Sequence, residues 1–112
     1  MSAQLLVVTG PDKGRTFPLA EGTTLQIGRS QATVTKLSDP AVSRVHCEIE
    51  YDGARALLVN ISTSGTMVNG KAVTQHELRH GEVIRVGDKF GIRVTGMIMP
   101  TERFLPLQAG VN

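Results

Sequence analysis

The chain has 112 residues, of which 40% are hydrophobic and 20% are charged, and its formal net charge is +2. This length and composition predict one soluble globular domain and exclude a disordered chain. The small net charge excludes binding to nucleic acid or to a membrane through a strong overall electrostatic field.

The number of cysteines and the N-terminal sequence indicate the cellular compartment of the protein. Cys47 is the single cysteine, so no disulfide forms within the chain, and we expect it to be a small core residue. The N-terminus lacks a basic stretch followed by a long apolar run, and the apolar run at residues 5–8 is too short to cross a membrane. We therefore expect a cytoplasmic protein without a membrane partner.

Short strands are predicted in the first half of the chain. Residues 5–8 and 15–19 flank a segment rich in Gly, Pro and Asp, which indicates a hairpin. Residues 23–27 form a third β-prone run. Residues 45–51 alternate between apolar and polar side chains, which is the period of a half-buried strand.

Further strands follow in the second half, separated by turn residues such as Asn69 and Gly70, and no segment shows a long helical period. They are predicted at residues 54–61, 66–68, 71–73, 83–86 and 90–95. About ten short strands favour an all-β sandwich or barrel whose function lies in its loops.

Two segments fall outside the strand pattern. Residues 28–44 make the longest gap between strands, and such long loops within a domain are usually functional or disordered. Residues 100–112 contain two prolines and no periodic pattern. We expect residues 1–99 to form one domain and residues 100–112 to form a C-terminal tail or linker, either a frayed terminus or a connection to another domain of a longer protein.

Catalytic chemistry is not predicted from the candidate side chains. Asp39, Ser43 and His46 are the residue types of a catalytic triad, but no nucleophile elbow surrounds the serine. We expect the aspartate to open a turn, and the serine and histidine to bond to nearby backbone groups.

His76 and His80 have the spacing of metal ligands on a helix. No third ligand is evident, and we expect the segment that contains them to be a surface loop. Phosphate-loop and dinucleotide-binding motifs are missing as well, so we expect neither an enzyme nor a bound metal or cofactor.

Anion-binding residue types are concentrated in three predicted loops. Eight of the twelve basic residues are Arg, whose planar fork matches a phosphate or carboxylate. At residues 28–30, 43–44 and 62–66, Arg side chains, hydroxyl groups and backbone N–H groups at glycine turns could together hold one phosphate. Surface arginines and serine-rich turns are also common, so the residue types by themselves leave a solvated surface as the alternative.

The order and spacing of these segments resemble a forkhead-associated (FHA) domain. The resemblance extends from residue 5 to about residue 95, nearly the whole chain. It implies an FHA/SMAD-like β-sandwich of about eleven strands with its binding loops at one end. The matching motifs are Gly28-Arg29, Ser43-Arg44-Val45-His46, Ser62-Thr63-Ser64-Gly65-Thr66-Met67-Val68-Asn69-Gly70, and the segment from Leu78 to Gly87.

The resemblance also implies roles for individual residues. Arg29 and Ser43 match the positions that hold the phosphate of a phosphothreonine, and Arg44 matches a neighbouring position that adds positive charge. Thr63 and Ser64 match the loop that contacts the phosphopeptide. Structural support of the site is expected from four further positions, Gly28, His46, Gly65 and Asn69.

This sequence departs from the family pattern at two positions. Ser64 stands where the family most often has Asn, whose amide can donate and accept hydrogen bonds at once. We expect the phosphate still to be held, with peptide anchoring weaker or taken over by Asn69. Asn60 stands where Asp is frequent, which is expected to affect turn capping more than binding.

The function implied is phosphothreonine-dependent protein–protein interaction in Ser/Thr kinase signalling. The partner would be a phosphothreonine-containing protein, such as a Ser/Thr kinase or its substrate, and not nucleic acid. Two alternatives remain, an FHA scaffold or self-association module that does not depend on phosphate, and a small β-barrel that binds single-stranded nucleic acid. Few aromatic side chains and a small net charge make the second alternative the weaker.

Overall fold

The computed structural model describes residues 3–33 and 35–96, and within them the chain forms ten β-strands. Among these residues no helix is long and apolar enough to span a membrane. The predicted boundary between residues 99 and 100 lies outside the described residues, as does the predicted tail. The strands are β1 (Ala3–Thr9), β2 (Thr16–Leu19), β3 (Thr23–Ile27), β4 (Cys47–Tyr51), β5 (Ala56–Asn60), β6 (Thr66–Val68), β7 (Lys71–Val73), β8 (Gln75–Glu77), β9 (Val83–Val86) and β10 (Phe90–Thr95).

The strands form two antiparallel sheets that pack face to face as a sandwich. One sheet has six strands in the order β2-β1-β10-β9-β6-β7, and the other has four in the order β3-β4-β5-β8. The inner faces share one core, in which Leu5, Ile49, Leu58 and Phe90 are fully buried. Burial of each such side chain contributes about 1.5–3 kcal/mol. The predicted all-β sandwich is confirmed. The described residues form ten strands, which agrees with the number expected from turn spacing and is one fewer than the about eleven that the resemblance implies.

The alternation of side chains explains which residues of a strand reach the core. In β4, Cys47 and Ile49 are fully buried, whereas Glu50 is exposed on the outer face and Glu48 is half-buried there. Successive residues of a strand point to opposite faces of the sheet. The period of two in the sequence therefore predicts both the strand and its buried side.

The turn at Asn69 and Gly70 also follows its prediction. Both residues have positive φ, 48° and 84°, which the two-residue hairpin turn between twisted strands requires. The turn joins β6 to β7. The Asn69 side chain accepts a hydrogen bond from the N–H of Val83 at 2.9 Å and so ties the hairpin to β9.

Strand β8 is the element that the sequence patterns missed. Its residues Gln75, His76 and Glu77 are polar or charged, and the loop predicted for this segment is wrong at these three positions. The strand forms by pairing with β5, in which Leu57 lies opposite Glu77 and Leu58 lies opposite His76. Backbone groups make this pairing, so it does not require an apolar side-chain pattern.

Two strands begin two residues later than predicted. β4 begins at Cys47 rather than at residue 45, and β5 begins at Ala56 rather than at residue 54. Before β5, the Asp52 carboxylate accepts hydrogen bonds from the N–H groups two and three residues further on, at 2.8 and 2.7 Å. These bonds hold the backbone in a turn, because an aspartate side chain competes with strand pairing for local N–H groups.

The two ends of the sandwich are defined by strand pairing. Ile27 lies beside Cys47, and Cys47 lies beside Asn60, so the β3–β4 and β5–β6 connections leave from the same end, which we call the loop end. Thr23 pairs with Tyr51 at the other end of the same strands. That end, which contains the β4–β5 turn, is called the far end.

Candidate functional site

Gly28 brings the two halves of the β3–β4 connection into contact. The backbone N–H of Arg29 donates to the carbonyl of Ser43, and that of Ser30 donates to the carbonyl of Arg44, both at 3.1 Å. A Cβ atom at position 28 would collide with the Arg44 carbonyl group. Glycine permits this approach, and the approach places Arg29, Ser43 and Arg44 side by side.

Two buried hydroxyl groups hold the first half of this connection. Thr35 accepts a hydrogen bond from the N–H of Gly28 at 2.9 Å and contacts the Gly28 carbonyl at 3.0 Å. Thr33 donates to the Ser30 carbonyl at 2.7 Å. Thr33 and Thr35 are not among the predicted site residues, although hydroxyl side chains in a long loop are a signal for such local bonds.

His46 joins the two connections at the loop end. Its ring is fully buried, and Nδ1 accepts a hydrogen bond from the Ser43 N–H at 3.1 Å. Nε2 lies 2.8 Å from the Gly65 carbonyl oxygen and 3.2 Å from the Ser62 hydroxyl. A carbonyl can only accept, so these contacts assign a neutral ring with its proton on Nε2. His46 therefore holds the backbone at Ser43 and at Gly65 in a fixed relation.

These contacts do not form a catalytic triad. His46 contacts the backbone N–H of Ser43 rather than its hydroxyl group. The Asp39 carboxylate accepts a hydrogen bond from the N–H of Ala41 at 2.9 Å. Asp39 and His46 thus bond to local backbone groups as predicted. The same prediction is wrong for Ser43, whose hydroxyl group has no hydrogen-bond partner among the described residues.

Ser62 and Asn60 fix the β5–β6 connection from the inside. The Ser62 hydroxyl accepts a hydrogen bond from the Gly65 N–H at 3.0 Å, and the Asn60 amide donates to the Ser62 carbonyl at 2.9 Å. The Asn60 amide oxygen also accepts from the Thr66 hydroxyl at 2.8 Å. Ser62 and Thr66 belong to the hydroxyl-rich segment of the sequence, but they are buried and hold the loop rather than face solvent.

The five predicted phosphopeptide-binding side chains have terminal groups without a hydrogen-bond partner among residues 3–33 and 35–96. Arg29 is anchored through Nε, which donates to the Val42 carbonyl at 2.9 Å, and its two terminal nitrogens are free within that part of the chain. Neither Arg29 nor Arg44 forms an ion pair with a described residue. The cluster offers unneutralised positive charge and hydroxyl donors to an anion. Its members are Arg29, Ser43, Arg44, Thr63 and Ser64.

A groove with a volume of about 760 Å³ begins beside this cluster. Ser64 and Gly65 line the groove at the loop, Pro40 and Ala41 line it from the β3–β4 connection, and Met67 lines it on the six-stranded sheet. The groove therefore provides a surface on which residues flanking a bound anion can lie.

Asn69 is placed away from the cluster. It lies in the β6–β7 hairpin, beyond the end of β6 that is opposite Gly65. Its amide oxygen already accepts a hydrogen bond from the Val83 N–H. This position argues against the expectation that Asn69 takes over peptide anchoring in place of Ser64.

The other candidate side chains have local structural contacts. Cys47 is fully buried, as expected of a small core residue, and burial raises the pKa of its thiol to about 12. His76 Nε2 lies 3.0 Å from the Glu82 carboxylate, and His80 Nδ1 accepts from the Gly96 N–H at 3.1 Å. Within the described ranges, no three His, Cys, Asp or Glu side chains gather in the manner of metal ligands.

Comparison with models of known protein families identifies the family to which the chain belongs. The family model of the FHA domain matches residues 25–87, the segment that contains the loop cluster. The chain therefore belongs to the FHA domain family, a family of protein-interaction modules.

Two solved FHA domains are particularly similar to this chain. One was solved in a structural and functional analysis of phosphothreonine-dependent FHA domain interactions, and it has 40% sequence identity and a TM-score of 0.78, covering 88% of this chain and 100% of that chain. The other is the FhaA FHA domain complexed with the intracellular domain of Rv3910. It has 42% identity and a TM-score of 0.75, covering 83% of this chain and 99% of that chain.

Sequence relatives include longer proteins. FhaA of Mycobacterium tuberculosis is 48% identical over 75 residues, which are 66% of this chain and 14% of FhaA. The glycogen accumulation regulator GarA of Mycolicibacterium smegmatis is 34% identical over 96 residues, 85% of this chain and 60% of GarA. An oxoglutarate dehydrogenase inhibitor of Corynebacterium jeikeium is 36% identical over 87 residues, 77% of this chain and 60% of the inhibitor. The matched segment thus spans less than two thirds of each of these relatives.

Proposed function

We propose that this chain is a phosphothreonine-dependent protein-interaction module in Ser/Thr kinase signalling. The observation that carries the proposal is the cluster of free cations and hydroxyl groups on loops that His46 links together. Further support comes from the 40% identical FHA domain that was solved in a study of phosphothreonine-dependent interactions.

The phosphate group is held by Arg29 and Ser43, with Arg44 adding positive charge. Phosphothreonine carries about −1.5 to −2 charges at pH 7 and three strong acceptor oxygens. The terminal nitrogens of Arg29 can donate in parallel to two of these oxygens, and the Ser43 hydroxyl adds a neutral donor. An unphosphorylated threonine presents no anion to these groups, so binding depends on phosphorylation.

The loops are ordered by internal hydrogen bonds that involve no ligand. Thr35 holds the backbone at Gly28, His46 links Ser43 to Gly65, and Asn60 holds the β5–β6 connection. Loops that are already ordered lose little conformational entropy when a ligand binds. More of the energy of the phosphate contacts is therefore retained as affinity.

Thr63 and Ser64 face the peptide that carries the phosphate. Both are exposed, and both lie on the loop that Ser62 and Gly65 fix from the inside. A serine hydroxyl can donate one hydrogen bond to a peptide backbone, whereas an asparagine amide can donate and accept at once. Anchoring of the peptide main chain is therefore weaker with Ser64 than with asparagine at this position.

The partner is a phosphothreonine-containing protein, such as a Ser/Thr kinase or its substrate. The FhaA FHA domain forms a complex with an intracellular domain, which supports a cytoplasmic setting for this chain as well. The module binds and does not catalyse, because the His46 ring is occupied by backbone contacts and the Cys47 thiol is buried in the core.

The test compares binding of a degenerate phosphothreonine peptide library and of its unphosphorylated counterpart, measured by fluorescence polarisation. Wild type should bind only the phosphorylated library. Arg29→Ala should weaken that binding by about tenfold or more, because hydrogen bonds to charged groups contribute about 1.5–3 kcal/mol each and about 1.4 kcal/mol corresponds to tenfold. Arg29→Lys should also weaken it, since lysine cannot form the parallel contact.

Arg55→Ala is the matched control. Arg55 is also an exposed arginine, but it lies at the far end, where its Nε is 3.3 Å from the Glu77 carboxylate. Its removal should leave phosphopeptide affinity unchanged. Equal binding of the two libraries, or wild-type affinity in Arg29→Ala, would instead favour an FHA scaffold that does not depend on phosphate.

A further inference from the structure

The outer face of the six-stranded sheet carries an excess of positive charge. Arg85 pairs with Met67 across β9 and β6, and Arg93 lies between Leu6 and Val83. Both arginines are exposed and are the charged residues among the outward strand positions, while Asp88 of the β9–β10 turn lines a groove together with Arg85. We call the surface the six-strand face and define it by its paired outward residues, which are Gln4, Leu6, Thr16, Pro18, Met67, Ala72, Val83, Arg85, Arg93 and Thr95.

The outer face of the four-stranded sheet carries an excess of negative charge. Its charged strand residues are Glu48, Glu50 and Glu77. A neighbouring cation, Arg55 in the β4–β5 turn, pairs with Glu77 at 3.3 Å. We call this surface the four-strand face, formed by two rows that cross the sheet, Thr24, Glu50, Leu57 and Glu77 in one and Gln26, Glu48, Val59 and Gln75 in the other.

Each face also has half-buried aliphatic side chains beside its charges. Leu6 and Val83 flank Arg93 on the six-strand face. Leu57 and Val59 lie beside the glutamates of the four-strand face. The two faces are therefore complementary in charge and similar in apolar content. Sheet faces of this kind pack about 10 Å apart through interleaved side chains.

We propose that copies of this chain stack, with the six-strand face of one copy on the four-strand face of the next. Contact between two identical faces would oppose like charges, which disfavours a two-fold dimer. A contact between two different faces is heterologous, and such a contact repeats along a row when it does not close into a ring.

The contact is weak and depends on protein concentration. The four-strand face has eight side chains, whereas a stable interface uses roughly 20–30 residues a side. Charge attraction between exposed residues is also screened by salt. The stack therefore forms at high local concentration and low ionic strength, and it dissociates on dilution.

Stacking leaves the free loop side chains open. Arg29 and Ser43 lie at the loop end of the sandwich rather than on either stacked face. Met67, Ala72 and Arg85, however, line the groove beside the loop cluster and also belong to the six-strand face. A stacked copy therefore competes with peptide residues that lie in this groove. This consequence rests on the proposed function, whereas the stacking itself does not.

The test measures the weight-average mass of the full chain by sedimentation equilibrium as protein concentration rises. The mass should increase at about 0.01 M ionic strength, where the screening length is about 30 Å. It should stay at the value of the monomer at about 1 M, where the screening length is about 3 Å. Arg29→Ala should associate as wild type does. Loss of phosphopeptide binding and loss of stacking are therefore separate results.

Charge reversal identifies the two faces. The double variant Arg85→Glu with Arg93→Glu has two acidic faces. The double variant Glu48→Lys with Glu50→Lys has two basic faces. Each variant alone should stay monomeric. An equimolar mixture should regain wild-type association, because every altered face then meets its opposite.

Recovery in the mixture also shows that the variants fold, which circular dichroism melting checks independently. The proposal is overturned if wild type stays monomeric at low ionic strength. It is equally overturned if either variant alone associates as wild type does, or if folded variants remain monomeric when mixed.

Discussion

The loop end and the far end of the sandwich contain similar residue types, but their charged side chains differ in whether they have hydrogen-bond or ion-pair partners. At the far end, Asp52 accepts hydrogen bonds from the N–H groups of Arg55 and Ala54 at 2.7 and 2.8 Å. These bonds, that from Arg55 first, lower the pKa of Asp52. Arg55 in turn lies 3.3 Å from Glu77. Asp52 and Arg55 thus find partners among the side chains and backbone groups of the far end.

At the loop end, the buried neutral polar groups are satisfied by residues 3–33 and 35–96, whereas the cations and the hydroxyl groups of Ser43, Thr63 and Ser64 are not. His46, Asn60 and Thr35 bond to backbone groups inside the loops. Arg29 and Arg44 have no carboxylate partner in the described part of the chain. Local rules of charge pairing are broken in proteins mainly where function requires it. The candidate site is therefore distinguished from the far end by unpaired positive charge on ordered loops rather than by residue type.

Gly28→Ala should give the largest difference between the two ends. The added methyl group must push the backbone at Arg44 away, so the free energy of unfolding should fall by about 3 kcal/mol and phosphopeptide binding should be lost. Gly22→Ala is the far-end control, because its Cβ meets no atom within 4 Å and only its φ of +80° is strained. Its cost should be about 1–2 kcal/mol, with binding unchanged. Urea unfolding and peptide titration measure both effects, and equal costs would contradict the close contact at Gly28.

His46→Ala should separate the two loop connections. It leaves the Ser43 N–H and the Gly65 carbonyl without their partner, at about 1–3 kcal/mol for each buried group that stays unsatisfied. Phosphopeptide affinity should fall as well, because Ser43 and Ser64 lose their fixed relation. His76→Ala, which removes a half-buried pair with Glu82, should cost at most about 1 kcal/mol and leave affinity unchanged. Wild-type affinity in His46→Ala would show that other contacts fix the loops.

Ser64→Asn should raise the affinity of the loop end for phosphopeptides rather than lower it. The longer amide can donate and accept on the peptide main chain. One additional hydrogen bond contributes about 0.5–1.5 kcal/mol, so affinity for the phosphopeptide library should rise by about two- to tenfold. Fluorescence polarisation measures the gain, and Ser64→Ala serves as the variant without any anchor. Unchanged or weaker binding of Ser64→Asn would show that Ser64 does not face the peptide.

Asp52→Ala should change the pH dependence of stability through the far end. Because the pKa of Asp52 is lowered from 3.8 in the folded chain, its carboxylate stabilises the fold above that pH, and the stabilisation is lost as pH falls through the lowered pKa. The variant should therefore melt below wild type at neutral pH and approach it in acid. Gly22→Ala carries no titrating group and should keep its difference at both pH values. A constant gap between Asp52→Ala and wild type would contradict the role of the ionised carboxylate.

Parts of the fold that depend on neighbouring residues were predictable. The alternation of Ile49 with two glutamates predicts β4 and its buried side, and Asn69 with Gly70 predicts the β6–β7 hairpin. The order of the loop motifs indicates the FHA family, and the match over residues 25–87 confirms it. These signals all lie within short stretches of the chain.

Other parts depend on residues that are distant in sequence. β8 forms from polar residues because β5 pairs with it. Ser62 and Ser64 are the same residue type two positions apart, yet Ser62 is buried against His46 while Ser64 is exposed. Thr35, which holds the backbone of Gly28, has no distinctive local pattern. None of these outcomes can be derived from a local window of sequence.

The all-β class, the FHA family and the residue types that can hold a phosphate all follow from the amino-acid sequence alone. The packing of the two sheets sorts those side chains into ones that hold the loops and ones that remain free. It also gives the two sheet faces opposite charge. The physical reason is that burial, cross-strand register and hydrogen bonds between distant residues are established only when the two sheets assemble.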